Sequence, residues 1–205
     1  MLKNSQINPK KENAWINKGN ALDELGNHGE AIICYDKALE INPKDEDAWY
    51  NKGIALGKLE NHGEAIICFD KVLEINPKKG EAWYNKGIAL GKFGNHGEAI
   101  ICFDKALEIN PKKGEAWYNK GIALEKLGNH REAIICFDKA LEINPKDEDA
   151  WYNLACVYSV KEEKEKALSS LRKAIEINEL YKENAKKDKD FETLRDDEDF
   201  KKMVG

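Results

Sequence analysis

The four histidines (His28, His62, His96 and His130) and four of the five cysteines (Cys34, Cys68, Cys102 and Cys136) carry the side chains best suited to metal ligation or nucleophilic attack. Each set recurs at a fixed interval of 34 residues, a span long enough for two helices. Packed helices lie about 8 to 10 Å apart, whereas zinc needs about four ligand atoms near 2 Å from one centre and a disulfide needs Cα atoms within about 7 Å. Equivalent residues of successive units are therefore too far apart for a metal ladder or for intramolecular bridges. No metal site and no cofactor is expected, and the thiols suit a reducing compartment. No Ser/His/Asp or Cys/His arrangement stands outside the repeat equivalence, so an enzyme is not expected. The segment GNHGE holds two glycines but lacks the Lys-Ser/Thr ending of a phosphate loop. It reads as a turn between helices.

Composition narrows the partners. The chain has 205 residues and a formal net charge of −5, which argues against nucleic acid, where Lys and Arg must neutralise phosphates. It contains neither a positively charged leader with an apolar core nor an apolar run of about 18 residues. A cytoplasmic protein with no membrane partner is expected.

The elements that would carry any site are set by the tryptophans. Trp15, Trp49, Trp83, Trp117 and Trp151 follow the same 34-residue interval and are all the tryptophans present. A period in the range of about 20 to 50 residues marks a stacked-repeat architecture. The unit Gly80 to Lys113 differs from the unit Gly114 to Asp147 at four positions: Gly91/Glu125, Phe93/Leu127, Gly97/Arg131 and Lys113/Asp147. Within each unit, apolar and small residues recur at helical spacing twice, as in Trp15, Gly19 and Leu22, then Ala31, Tyr35, Ala38 and Leu39. Gly26 can adopt positive φ to end the first helix, and Asn27 with Glu30 reads as a capping box, repeated at Asn61/Glu64, Asn95/Glu98 and Asn129/Glu132. Pro43 and its equivalents Pro77, Pro111 and Pro145 close the second helix.

These residues resemble the tetratricopeptide repeat, whose pattern in the second unit is met by Trp49, Gly53, Leu56, Ala65, Phe69, Val72 and Pro77. The resemblance covers roughly residues 12 to 181. It implies an all-α fold, a right-handed superhelical solenoid of antiparallel helix pairs, with five repeats at 12–45, 46–79, 80–113, 114–147 and 148–181. Residues 1–11 form a lead-in in which Ile7-Asn8-Pro9-Lys10 repeats the close of a unit, and residues 182–205 a helical C-terminal cap. One departure from the pattern is Lys18, Lys52, Lys86 and Lys120 where the family usually has Leu, with Leu154 restoring it in the fifth unit. Each lysine is expected to lay its stem over the helix packing and extend its amine to water.

In that family the first helices line a concave groove where peptides dock. The resemblance therefore implies a non-catalytic scaffold for a protein or extended peptide. It places Asn17, Asn51, Asn85, Asn119 and Asn153 in the groove, beside Tyr50, Tyr84, Tyr118 and Tyr152. A carboxamide offers both donor and acceptor to a peptide unit, and tyrosine adds apolar area with a hydroxyl. The same residues also suit plain contacts between helices. Some members clamp chaperone C-terminal carboxylates; here Asn20 and Asn51 match, but the basic positions hold Ile16, Glu81 and Asn85, so such binding is not expected. Acidic Asp47, Glu81, Glu115 and Asp149 near one end of the first helices and Lys58, Lys92 and Lys126 near the other suggest a neutral or basic extended segment.

The alternative is a self-assembling repeat protein. Ile33, Ile67, Ile101 and Ile135 fall on the solvent side of the second helices, among charged residues, and Ser169 ends the stripe. The first repeat has no neighbour before it, so homo-oligomerisation through that end is a further expectation. At the other end the second helix of the fifth unit is expected to run on to about Lys187. Phe191, Leu194, Phe200, Met203 and Val204 would then cover the last helix, or dock in a neighbouring chain's groove.

Overall fold

Glycine or a left-handed residue every half repeat, and proline every full one, cut the chain into short helices in the computed structural model, which describes residues 9–205. The motif Ile7-Asn8 of the lead-in lies outside the described residues. Among those described there are twelve α-helices, one 3-10 helix and no strand. The chain divides into two compact parts, Met1–Ile109 and Asn110–Gly205.

The first part holds α1 (Pro9–Glu24), α2 (His28–Ile41), α3 (Glu46–Lys58), α4 (His62–Ile75), α5 (Gly80–Lys92) and α6 (His96–Ile109). Helices pair as α1 with α2, α3 with α4 and α5 with α6, and each pair packs on the next. The second part holds α7 (Gly114–Lys126), α8 (His130–Ile143), α9 (Glu148–Val160) and α10 (Lys164–Ile177), paired in the same way. It continues into α11 (Leu180–Lys187), a 3-10 helix (Lys189–Leu194) and α12 (Glu198–Val204).

Two contacts explain why the repeat needs its residues. A Cβ on Gly53 would stand 2.8 Å from the Phe69 ring, so the missing side chain lets α3 and α4 close on each other. The indole N–H of Trp49 donates to the Pro43 carbonyl at 3.0 Å, and Trp83, Trp117 and Trp151 repeat this with Pro77, Pro111 and Pro145. Each tryptophan thus ties its helix to the turn that precedes it.

The turn inside each repeat ends in a left-handed residue, Gly26 at φ 81°, Gly94 at 90° and Gly128 at 75°. Glu60 and Glu162 take the same conformation at φ 61° and 60°, where a Cβ is strained. Among the described residues only Asn95 approaches the capping box: its Oδ1 accepts from the Glu98 backbone N–H at 3.3 Å and its Nδ2 donates to Glu98 Oε1 at 2.8 Å. Asn27, Asn61 and Asn129 make no side-chain cap bond, because their ψ near 60° turns the side chain away from the helix N–H groups. Asp45 and Asp147 cap the first helices instead, at 2.7 and 2.9 Å from the N–H of Ala48 and Ala150.

Two expectations are corrected. The second helix of the fifth repeat ends at Ile177, where Asn178 is extended and its side chain accepts from Leu180 N, so α11 is a separate helix. Of the lysines in the family's leucine position Lys18 is exposed, as expected, but Lys52 and Lys86 do not send their amines to water. Lys52 Nζ pairs with Asp36 Oδ1 and Lys86 Nζ with Asp70 Oδ1, both at 2.6 Å, and the ammoniums stand 5.5 and 5.7 Å from the Trp49 and Trp83 rings. Each pair joins one repeat to the one before it.

Candidate functional site

Residues one and five places beyond the tryptophan-preceding alanine lie on one face of a helix because they are four apart. On α3 these are Trp49 and Gly53, which face inward. One step on, Tyr50 and Ile54 share a half-buried face, as do Tyr84 and Ile88 on α5 and Tyr118 and Ile122 on α7. The tyrosine rings rest about 6 Å from Phe69, Phe103 and Phe137 of the paired helices. Burial pushes the Tyr118 hydroxyl up to about 12 and raises that of Tyr50. They therefore stay neutral and keep both a donor and acceptors.

The asparagines stand beside them, and their amide nitrogens are engaged. Asn51 Nδ2 donates to Asn20 Oδ1 at 3.0 Å, and Asn85 Nδ2 to the Tyr50 hydroxyl at 2.8 Å. Asn119 Nδ2 donates to the Glu115 carbonyl at 2.7 Å, and Asn153 Nδ2 to the Tyr118 hydroxyl at 3.0 Å. Asn17 is exposed. The amides of Asn51, Asn85 and Asn153 thus each link a repeat to the one before it. None of the hydrogen bonds described uses the carboxamide oxygens of Asn85 and Asn153 or the hydroxyl protons of Tyr50 and Tyr118.

Tyr152 stands apart from the other tyrosines. It is 8% exposed, its hydroxyl donates to Asp188 Oδ2 at 2.8 Å, and its ring stacks 4.6 Å from Tyr181 and lies 5.7 Å from Phe191. Cys156, one turn on, is buried under the same segment, and its thiol is 3.8 Å from Asp188. Burial, then the charge of Asp188, raise the Cys156 thiol far above its usual range. The C-terminal segment therefore covers on α9 the face that carries Tyr50 and Ile54 on α3. Phe191, Leu194, Phe200 and Val204 are buried in one cluster with Leu168 and Leu171 of α10. Lys164 pairs with Asp197 and Tyr181 with Asp149. Sequence reasoning placed these apolar residues over the last helix; it missed that they also occupy α9, since nothing in the repeat pattern marks Asp188.

The charges at the helix ends are also rearranged. Asp23 bonds Lys58 Nζ at 2.7 Å and His28 Nδ1 at 2.6 Å, and Lys126 pairs with Glu125 at 3.2 Å. Lys92 makes no ion pair among the described residues. Ile33, Ile67, Ile101 and Ile135 are each 55 to 59% exposed. All five thiols are buried and free. Cys156, Asp188 and Asp190 lie close enough to share an ion, but Asp188 is already engaged by Tyr152 and the set supplies three ligands. No described helix is long and apolar enough to cross a membrane.

Comparison with known proteins places this geometry. No curated protein sequence matches the chain. Among solved structures, YrrB, described as a TPR protein with an unusual peptide-binding site, is 33% identical with a TM-score of 0.74, covering 84% of this chain and 90% of its own. MamA residues 41 to the end from Desulfovibrio magneticus RS-1 share 24% identity at a TM-score of 0.80, covering 83% of this chain and 96% of that one, a likeness of fold. The tetratricopeptide repeat model matches residues 12–45, 46–79, 80–113 and 114–147, and a second model of that repeat matches 136–169. With matched models over most of its length and the Trp, Gly and Pro contacts that the repeat requires, the chain belongs to the tetratricopeptide repeat family.

Proposed function

We propose that the chain is a non-catalytic scaffold that takes a protein or an extended peptide on its first-helix faces, those of Tyr50 and Tyr84 with Asn51 and Asn85 in the first part and that of Tyr118 with Asn119 in the second. The observation that carries this reading is the seating of the C-terminal segment on α9, where Tyr152 receives an aromatic ring and gives its hydroxyl proton to a carboxylate. The equivalent faces on α3, α5 and α7 present the same tyrosine without such a cover and are half-buried. The likeness to YrrB, a peptide-binding repeat protein, supports the same assignment. The segment bound is neutral or basic overall, given the exposed Asp47 and Glu115 near the starts of α3 and α7. Location in the cytoplasm and the repeat boundaries 12–181 with a capping tail belong to the same proposal.

The test is capture of a randomised peptide library by the full chain, compared with the triple variant Asn51→Ala, Asn85→Ala, Asn119→Ala. Capture should be lost in the variant while its helical circular dichroism is kept. Equal capture by both proteins would remove the faces from consideration. The second reading, self-assembly, rests on the exposure of Ile33, Ile67, Ile101 and Ile135. Light scattering across a hundredfold dilution tests it: a dilution-sensitive mass that the four Ile→Glu changes reduce to the monomer would make another copy of the chain the first partner.

A further inference from the structure

Between α3 and α5 lies a cavity of about 260 Å³ whose walls are the apolar faces of Ile54, Ile88 and Phe69 and whose polar groups are Lys58, His62, Asn85 and Lys92. One repeat earlier the corresponding space, about 210 Å³, is lined by Asn20, Asp23, Glu24, Tyr35, Asn51 and Ile54. Four of the equivalent positions change, Asn20/Ile54, Asp23/Gly57, Glu24/Lys58 and Tyr35/Phe69, and two of these changes remove an acid. Asp23 projects its carboxylate between His28 Nδ1 at 2.6 Å and Lys58 Nζ at 2.7 Å. Burial opposes its charge, but the bonds from Lys58 and His28 prevail and hold the carboxyl below its usual range. In the next repeat Gly57 stands at the Asp23 position, with His62 and Lys92 at those of His28 and Lys58.

At Gly57 the acid is removed and the two groups that held it are kept. A side chain on Gly57 would meet no atom within 4 Å, so nothing else fills the space. Lys92 makes no ion pair among the described residues. The following positions are Gly91 and Glu125, so the acid is present in the first and fourth repeats and missing from the two between. The protein's own Asp23 shows which group fits: a carboxylate on a short alkyl stem, with apolar wall beside it.

We infer that the cavity beside Gly57 is a subsite for one acidic side chain, Asp or Glu, of the bound segment, held by Lys92 and His62 as Asp23 is held by Lys58 and His28. The inference rests on the peptide-binding reading and adds a fixed point to it. The first helices run from Asp47 and Glu81 at their starts to Lys58 and Lys92 at their ends, so an acid at Lys92 sets which way the segment lies. The subsite is distinct from the chaperone clamp, whose basic positions here hold Ile16, Glu81 and Asn85.

The test has two arms on the full chain. In the first, N-acetylglutamate amide and N-acetylglutamine amide are titrated while the His62 ring resonances are followed by NMR. The acid should give saturable shifts at millimolar concentration, the glutamine derivative none, and G57D and K92M should abolish them. G57D places an internal carboxylate where the ligand's would go and should keep the fold; K92M removes the cation. Absence of saturable shifts in the parent, or equal shifts in G57D, would overturn the subsite. In the second arm, two peptide pools identical but for a fixed Glu or Gln are compared by fluorescence anisotropy. The parent should favour the Glu pool about tenfold, as a charge-assisted hydrogen bond allows, and G57D should bring the ratio to about one. A Glu preference that survives in G57D and K92M also overturns the subsite. Binding of the small acid with neither pool binding leaves the subsite standing and sinks the reading of the helix faces.

Discussion

Lys52 Nζ on α3 lies 2.6 Å from Asp36 Oδ1 on α2, and Lys86 on α5 repeats the contact with Asp70 on α4. The lysine side chain is 17% exposed and its ammonium also faces the Trp49 ring, while Asp36 is 47% exposed. A family position normally filled by leucine has become an electrostatic link between successive repeats.

That asymmetry makes the two partners unequal on removal. Asp36→Asn leaves a largely buried ammonium without its acid and should cost about 1 kcal/mol, whereas Lys52→Leu restores an apolar contact, lets Asp36 rehydrate and should change stability little. Urea unfolding midpoints of the two variants check this. A larger loss for Lys52→Leu than for Asp36→Asn would show that the lysine stem, not the pair, matters.

Glu60 holds φ 61° at a turn where three other repeats use glycine. Glu60→Gly should stabilise the protein by about 0.5 to 1 kcal/mol, since relief of left-handed strain exceeds the entropy that glycine adds to the unfolded chain. Gly94→Ala, at φ 90°, should destabilise by a similar amount. Thermal melts of both variants are sufficient.

Phe191 is fully buried against Tyr152 and Phe200. Phe191→Ala should cost about 3 to 5 kcal/mol and raise hydrogen exchange in α9 and α11. Tyr152→Phe, which keeps the ring but loses the bond to Asp188, should cost about 1 kcal/mol. A tail that stayed equally protected in Phe191→Ala would mean that α12 and the Lys164–Asp197 pair suffice to hold it.

Burial pushes the thiols of Cys68 and Cys102 up to about 11. Their folded values exceed the unfolded value of about 8.5, so neutral thiol favours the fold. The contribution is whole below about pH 8.5 and is lost as pH rises through 11. At pH 8 all five thiols should resist a thiol reagent in the native protein and react together once it is denatured. Fast labelling of Cys68 in the native state would contradict the packing of α4.

The helix pairs and their turns were legible in the sequence because a period of 34 residues repeats local instructions: helical spacing, Gly26 in a left-handed turn and Pro43 as a stop. The capping box was over-read, since Asn27, Asn61 and Asn129 have the right type but a backbone that turns them aside. Tertiary structure alone decided what depends on residues far apart in the chain. Lys52 finds Asp36, the Asn85 amide meets the Tyr50 hydroxyl, and Asp188 takes the Tyr152 hydroxyl proton. Gly57 read in sequence is merely one more glycine; it becomes an opening between His62 and Lys92 only when α3 and α5 are side by side. Repetition fixes what each residue does to its own helix, whereas a binding site is defined by distances between helices, which a linear period does not contain.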